Sequence, residues 1–165
     1  MPPVLGNGGK WKRWCSMTPI LAIDPGAAGG LAWRDADGIV QAEPMPDGMT
    51  AQVDRLRSLA ATLPGLTAIM EKVGTYVPGN HVGSACTFAR HCGHLEAALY
   101  ALGIPFTEVA PGVWMKKLGT LPKDKPERKR AIREEMARQF PHLDVTLRTA
   151  DALGLLATFC EKALP

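Results

Sequence analysis

Residues 20–33, ILAIDPGAAGGLAW, constrain what this chain can fold into more than any other stretch. Ile20, Leu21, Ala22 and Ile23 form a short apolar run, the pattern of a strand buried on both faces. Asp24 stands at its end, where a carboxylate is costly to bury unless it is paired or binds a metal. Pro25, Gly26, Gly29 and Gly30 then turn the chain and keep side chains out of the space beside Asp24. Leu31, Ala32 and Trp33 read as a return strand, so the element is a hairpin. It contains neither of the glycine patterns that cradle phosphates. On this stretch alone Asp24 has two readings, an ordinary turn residue before Pro-Gly or a functional acid.

Strands are predicted over 20–24, 30–34 and 39–43, with Asp37-Gly38 as the hairpin turn between the second and third. After a loop over 44–48, Thr50 is predicted to cap a helix reaching about residue 63, with Val53, Leu56, Leu59 and Ala60 buried. Pro64-Gly65 ends it. The strand over 66–71, LTAIME, repeats the first arrangement, an apolar run that delivers an acid, Glu71, at its C-terminal end. One charged strand terminus is ordinary; two on strands expected to be neighbours make a site hypothesis. The loop GTYVPGNHVG, 74–83, follows Glu71 directly and is expected to overhang that site. Its Tyr76 and His81 either pack the loop or touch a substrate, Tyr76 by stacking on a base and His81 by phosphate contact or proton transfer.

Ser84 is predicted to cap a long helix over 84–102, with Phe88, Cys92, Leu95, Leu99 and Leu102 as its buried stripe. Ala85, Ala89, Gly93 and Ala97 add small side chains at four-residue steps, which permit close packing. A short strand over 104–109 and a helical turn over 111–118 come next. From Lys116 to Arg133 there are eight basic residues against Asp124 and Glu127, an excess of +6 in a chain of net charge +3. A helix over 126–140 is predicted to bury Ile132, Met136 and Phe140 and to turn the bases outward. Such a segment is either a solvated helix face or a surface for phosphate backbone, and its single-sign bias favours the second. The last helix is predicted over 149–162, capped by Thr149, with Leu153, Leu156, Phe159 and Cys160 facing the core. Asp151 falls in its first turn. It either complements the helix dipole at the surface or, because ADALGLLA is apolar on both sides of it, points toward the strand ends.

With 165 residues and 46% hydrophobic content the chain is expected to fold as one domain over 19–165, preceded by a flexible extension over 1–18. Its four cysteines lack CxxC spacing and read as reduced thiols. His91 and His94 flank Cys92, but no second ligand pair stands at structural zinc spacing. No run of 18 apolar residues occurs, so a soluble cytoplasmic protein is expected, without a membrane partner.

If Asp24, Glu71 and Asp151 converge, they repel one another unless protonated or neutralised by cations. Hard oxygen ligands suit Mg²⁺ or Mn²⁺. Two such ions about 4 Å apart can activate a water and stabilise a leaving 3′ oxygen. With the basic segment nearby, these residues point to a metal-dependent nuclease. A Ser/His or Cys/His hydrolase has no nucleophile elbow here, and a glycosidase built on Asp24 and Glu71 gains nothing from the basic segment.

ILAIDPGAAGGLA, AIMEK and ADALGLL, in this order, resemble the acidic motifs of RuvC-like Holliday junction resolvases, within the ribonuclease H-like superfamily. HLEAALYALGIPFTEVAPGVWMKKLGTLPKDKPERK is similar to the phage- and plastid-type members. The resemblance spans about residues 19–162. It implies an α/β fold with a mixed five-stranded sheet, the first three strands antiparallel, flanked by helices on both faces. It also implies Asp24, Glu71 and Asp151 as catalytic residues and ligands of two Mg²⁺ ions, with Mn²⁺ as a substitute. A homodimer paired through the helix over 84–102 would nick a four-way DNA junction at two sites. Lys116, Lys117 and Lys123 match the family's basic stretch, and Lys125, Arg128, Arg148, Tyr76 and His81 complete the expected DNA-binding set. One departure is Arg148, three residues before Asp151, where bacterial RuvC often has an acid or histidine. Arginine cannot ligate a metal, and a phosphate contact or partial neutralisation of the site is expected of it instead. The rival readings are a non-catalytic junction binder and a ribonuclease H-like nuclease acting on flaps or RNA–DNA hybrids.

Overall fold

The computed structural model describes residues 18–72 and 82–160. Its centre is β1 (Ile20–Asp24). The turn after it feeds β2 (Gly30–Arg34), which pairs antiparallel with β1, and β3 (Val40–Pro44) pairs antiparallel with β2. On the other side β4 (Thr67–Glu71) and β5 (Phe106–Val109) continue the sheet in parallel, giving the order β3-β2-β1-β4-β5. The α/β class, the five mixed strands and the three antiparallel leaders are as predicted.

Strand periodicity divides the core into two layers. Leu21, Ile23, Leu31, Trp33, Ala68 and Met70 face one side, where α1 (Gly48–Thr62) and α2 (Val82–Ala101) cover them. Ala22, Ala32 and Ile69 face the other, beneath α3 (Pro111–Met115), α4 (Lys125–Gln139) and α5 (Ala150–Cys160). The two alanines keep the second face shallow, and α5 lies directly on β1 and β2. A 3-10 turn, Lys116–Leu118, extends α3 toward the connection to α4.

Several expectations about helices need correction. Helix α1 starts at Gly48 with Asp47, not Thr50, at its N-cap, and α2 starts at Val82, so Ser84 lies inside it. The last helix was expected to bury one stripe, but Asp151 through Leu156 and Thr158 are all buried. A helix apolar all round can be enclosed on every side, and α5 sits between the sheet and α3 and α4. Helix α2 departs the other way. Leu95, Ala98 and Leu99 are buried, yet the side chains from Val82 to Thr87 are exposed and Phe88 and Cys92 are only half covered. Its N-terminal turns project beyond the sheet. Among the described residues no helix is long and apolar enough to cross a membrane.

Candidate functional site

Strands β1 and β4 run parallel, with Ile23 beside Met70. Asp24 and Glu71 are the next residues on each, so both acids leave the sheet at the same end. Asp24 is 9% exposed. Its carboxyl is pushed up to about 8, first by burial, then by Glu71 and Asp151, with the Lys129 ammonium opposing. Glu71 is raised as well, chiefly by burial. A hydrogen bond from Trp114 Nε1 to its Oε2, 2.8 Å long, works against that rise, Asp151 adds to it, and Lys129 reduces it. Asp24 thus feels both Glu71 and Asp151 as close negative charge, and Glu71 feels Asp151.

Asp151 arrives from the opposite end of the chain. The segment before α5 is held against the β1–β2 turn by close backbone approach. A Cβ on Gly30 would lie 2.5 Å from the Arg148 carbonyl oxygen and 2.8 Å from that of Glu43, and one on Gly29 would lie 2.0 Å from the Asp24 carbonyl oxygen. Only glycine fits at both positions. Arg148 Nη2 donates to the carbonyls of Ala27 (2.9 Å) and Met45 (3.1 Å), fastening the same junction from the side-chain end. The residue that replaces an expected fourth ligand thus braces the turn behind Asp24. Thr149 does not act as the expected side-chain cap. Its Oγ1 accepts from the Thr146 amide, knotting the approach to α5.

Sequence reasoning missed Lys129 as a member of the site. It lies on α4, and its Nζ is 3.3 Å from Asp151 Oδ2. The expectation that the bases of this helix turn outward fails here, because Lys129 precedes buried Ile132 by three residues and shares its inward face. That spacing was the available signal. Arg133 Nε likewise turns to the Val145 carbonyl, and Arg128 Nη1 to that of Lys123. Lys117 Nζ donates to the Thr158 carbonyl at 2.9 Å and sits 4.6 Å from the Phe159 ring centroid, at the C-terminal end of α5. Lys116, Lys123 and Lys125 are exposed. Tyr76 and His81 lie outside the described residues.

The donor chemistry fits a hard divalent cation. Burial and neighbouring acids raise Asp24 more than the Lys129 ammonium lowers it, and oxygen ligands of this kind prefer Mg²⁺ or Mn²⁺. As the side chains stand, no group of three or more His, Cys, Asp or Glu among the described residues is closed to chelating spacing, and Asp151 holds Lys129 instead. Beside the acids a groove of about 700 Å³ is lined by Gly26 and Ala27 of the turn and by Ser84, Thr87, Phe88 and His91 of α2.

No protein family's sequence profile matches the chain, and no curated protein sequence does. Solved structures do share its fold. The chain is similar to Thermus thermophilus RuvC in complex with a Holliday junction substrate, at 15% identity over 88% of this chain and 94% of that one, with a TM-score of 0.53. A second Thermus thermophilus RuvC structure matches at 16% identity, over 88% and 95% of the two chains, with the same TM-score of 0.53. The Fowlpox virus resolvase bound to Holliday junction DNA matches at 13% identity over 89% of this chain and 99% of that one, with a TM-score of 0.55. The fold is that of the RuvC-like resolvases.

Proposed function

We propose that this protein is a metal-dependent endonuclease that resolves four-way DNA junctions by paired phosphodiester hydrolysis. The observation that carries the reading is the placement of Asp24 and Glu71 at the same end of adjacent parallel strands, with Asp151 acting on both, in a fold like that of the resolvases. The proteins of like fold whose structures contain Holliday junctions supply the substrate class.

Asp24, Glu71 and Asp151 hold two Mg²⁺ ions in this reading. A divalent cation held there would supply an acidified water and charge stabilisation for the leaving oxygen. Asp24 is the central ligand, fixed by the Gly29 and Gly30 turn. Lys129 keeps a positive charge beside Asp151 and offsets repulsion among the carboxylates. Exposed Lys116, Lys123 and Lys125, with Arg128, contact phosphates, a role that positions DNA without reading bases. Lys117 and Arg148 reach backbone carbonyls of the protein, and we assign them support of the DNA-facing surface. The exposed face of α2, including Ala85, Ala89, Gly93 and Tyr100, pairs two copies so that two sites act on one junction.

The test compares four-way junction, flap, RNA–DNA hybrid and plain duplex substrates in Mg²⁺. Preferential paired nicking of the junction is expected. Asp24→Asn and Asp151→Asn should abolish cleavage while junction binding in Ca²⁺ survives. Cleavage that persists in both variants overturns the catalytic assignment. Preference for hybrid or flap favours the other nuclease reading, and binding without cleavage by the wild type favours a junction binder.

A further inference from the structure

Trp114 is fully buried, the bulkiest fully buried side chain among the described residues. A buried indole N–H needs an acceptor, and a backbone carbonyl would serve. Here the acceptor is Glu71 Oε2, at 2.8 Å, on an acid at the rim of the sheet. The far edge of the same ring is set by α5. A Cβ on Gly154 would lie 2.8 Å from Trp114 Cζ3 and 3.4 Å from Cη2. Glycine inside a helix costs about 0.5–1 kcal/mol relative to alanine, and this one stands three residues after Asp151 in a helix buried on all sides. The indole therefore touches both elements that bring acids to Asp24, β4 through its N–H and α5 through its ring.

We propose that Trp114 is a positioning residue for the acidic site, its N–H holding Glu71 Oε2 so that Oε1 is left for the cation, with Gly154 setting the depth of the ring. The inference rests on the metal-dependent reading above. Its physical basis is that a ligand carboxylate free to rotate must be ordered when the ion binds, whereas one already held by a hydrogen bond is not. Loss of such an outer partner typically weakens metal binding about 10–100-fold.

Trp114→Phe keeps an aromatic ring in the core and removes only the donor. Mn²⁺ uptake by the free protein, followed by the electron paramagnetic resonance signal of unbound Mn²⁺, should weaken by roughly tenfold or more. Junction binding in Ca²⁺-free EDTA buffer should stay at the wild-type level. Gly154→Ala leaves the N–H in place but must displace the ring, and it should weaken Mn²⁺ uptake in the same direction. In the wild type, which needs no substitution, the Trp114 indole N–H resonance in a ¹⁵N-labelled sample should shift on adding Mg²⁺. Mn²⁺ uptake by Trp114→Phe within about twofold of wild type overturns the proposal, and so does an indole resonance indifferent to Mg²⁺ in a protein that takes up the ion. A wild-type protein that takes up no Mn²⁺ removes the metal-dependent reading and this inference together.

Discussion

Replacing Asp24 with asparagine isolates what it costs this fold to bury a carboxyl beside two other acids. In the metal-free protein the Asp24 carboxyl titrates at about 8 against an ordinary value of 3.8, because it is buried and faces Glu71 and Asp151. Between those two values the folded protein keeps a proton that the unfolded chain has released, so folding takes up a proton and stability falls as pH rises. One proton is worth about 1.4 kcal/mol per pH unit, so from about pH 5.5 to about pH 7.5 this group alone removes roughly 2–3 kcal/mol. Asp24→Asn has nearly the same shape and no charge to form, so it lacks that slope. Urea unfolding of both proteins in EDTA, at several pH values across this range, measures the gap between them. Histidine titration is common to both and cancels. The gap should widen in favour of Asp24→Asn by roughly 2–3 kcal/mol over the two units, and Mg²⁺ should narrow it by stabilising the wild type more than the variant. Parallel stability curves, or an asparagine variant that loses stability relative to wild type as pH rises, would refute the reasoning.

Lys129→Met removes the charge that lowers both Asp24 and Glu71, so the same urea series should show the loss of stability in EDTA continuing to higher pH than in the wild type. Gly30→Ala forces a methyl into two backbone carbonyls and should destabilise by at least about 1–3 kcal/mol. Gly38→Ala meets no atom and has only its positive φ to contend with, so it should cost about 1 kcal/mol in the same thermal unfolding assay. Lys116→Ala should leave the unfolding midpoint unchanged and reduce the salt dependence of junction binding by about one counterion. Lys117→Ala, which strips a partner from the Thr158 carbonyl, should lower the midpoint and leave the salt slope nearly as it was.

Most of the sheet was legible because its signals are local. Apolar runs ending in Asp24 and Glu71, and Asp37-Gly38 between alternating segments, need only a few neighbouring residues to be read. The positions of Asp24, Glu71 and Asp151 were legible for the same reason, two at strand ends and one in the first turn of an apolar helix. Contacts that depend on distant partners were not. Lys129 looked like one base among eight until α4 was docked against α5. Arg148 and Lys117 looked like phosphate ligands, because nothing in the linear pattern shows that carbonyls of Ala27, Met45 and Thr158 come within their reach. The role of Gly154 was equally hidden, since an isolated helix glycine gives no sign of the ring that fills the space beside it.

The β1–β2 turn and the start of α5 interlock through bare backbone, yet more than a hundred residues of chain separate them. A polypeptide emerging from the ribosome carries its first acidic side chain early and receives the last only when nearly all of the domain has been made. Until then the partial product lacks the helix that places Asp151 beside the β1–β2 turn. The geometry of this end of the sheet is therefore set last.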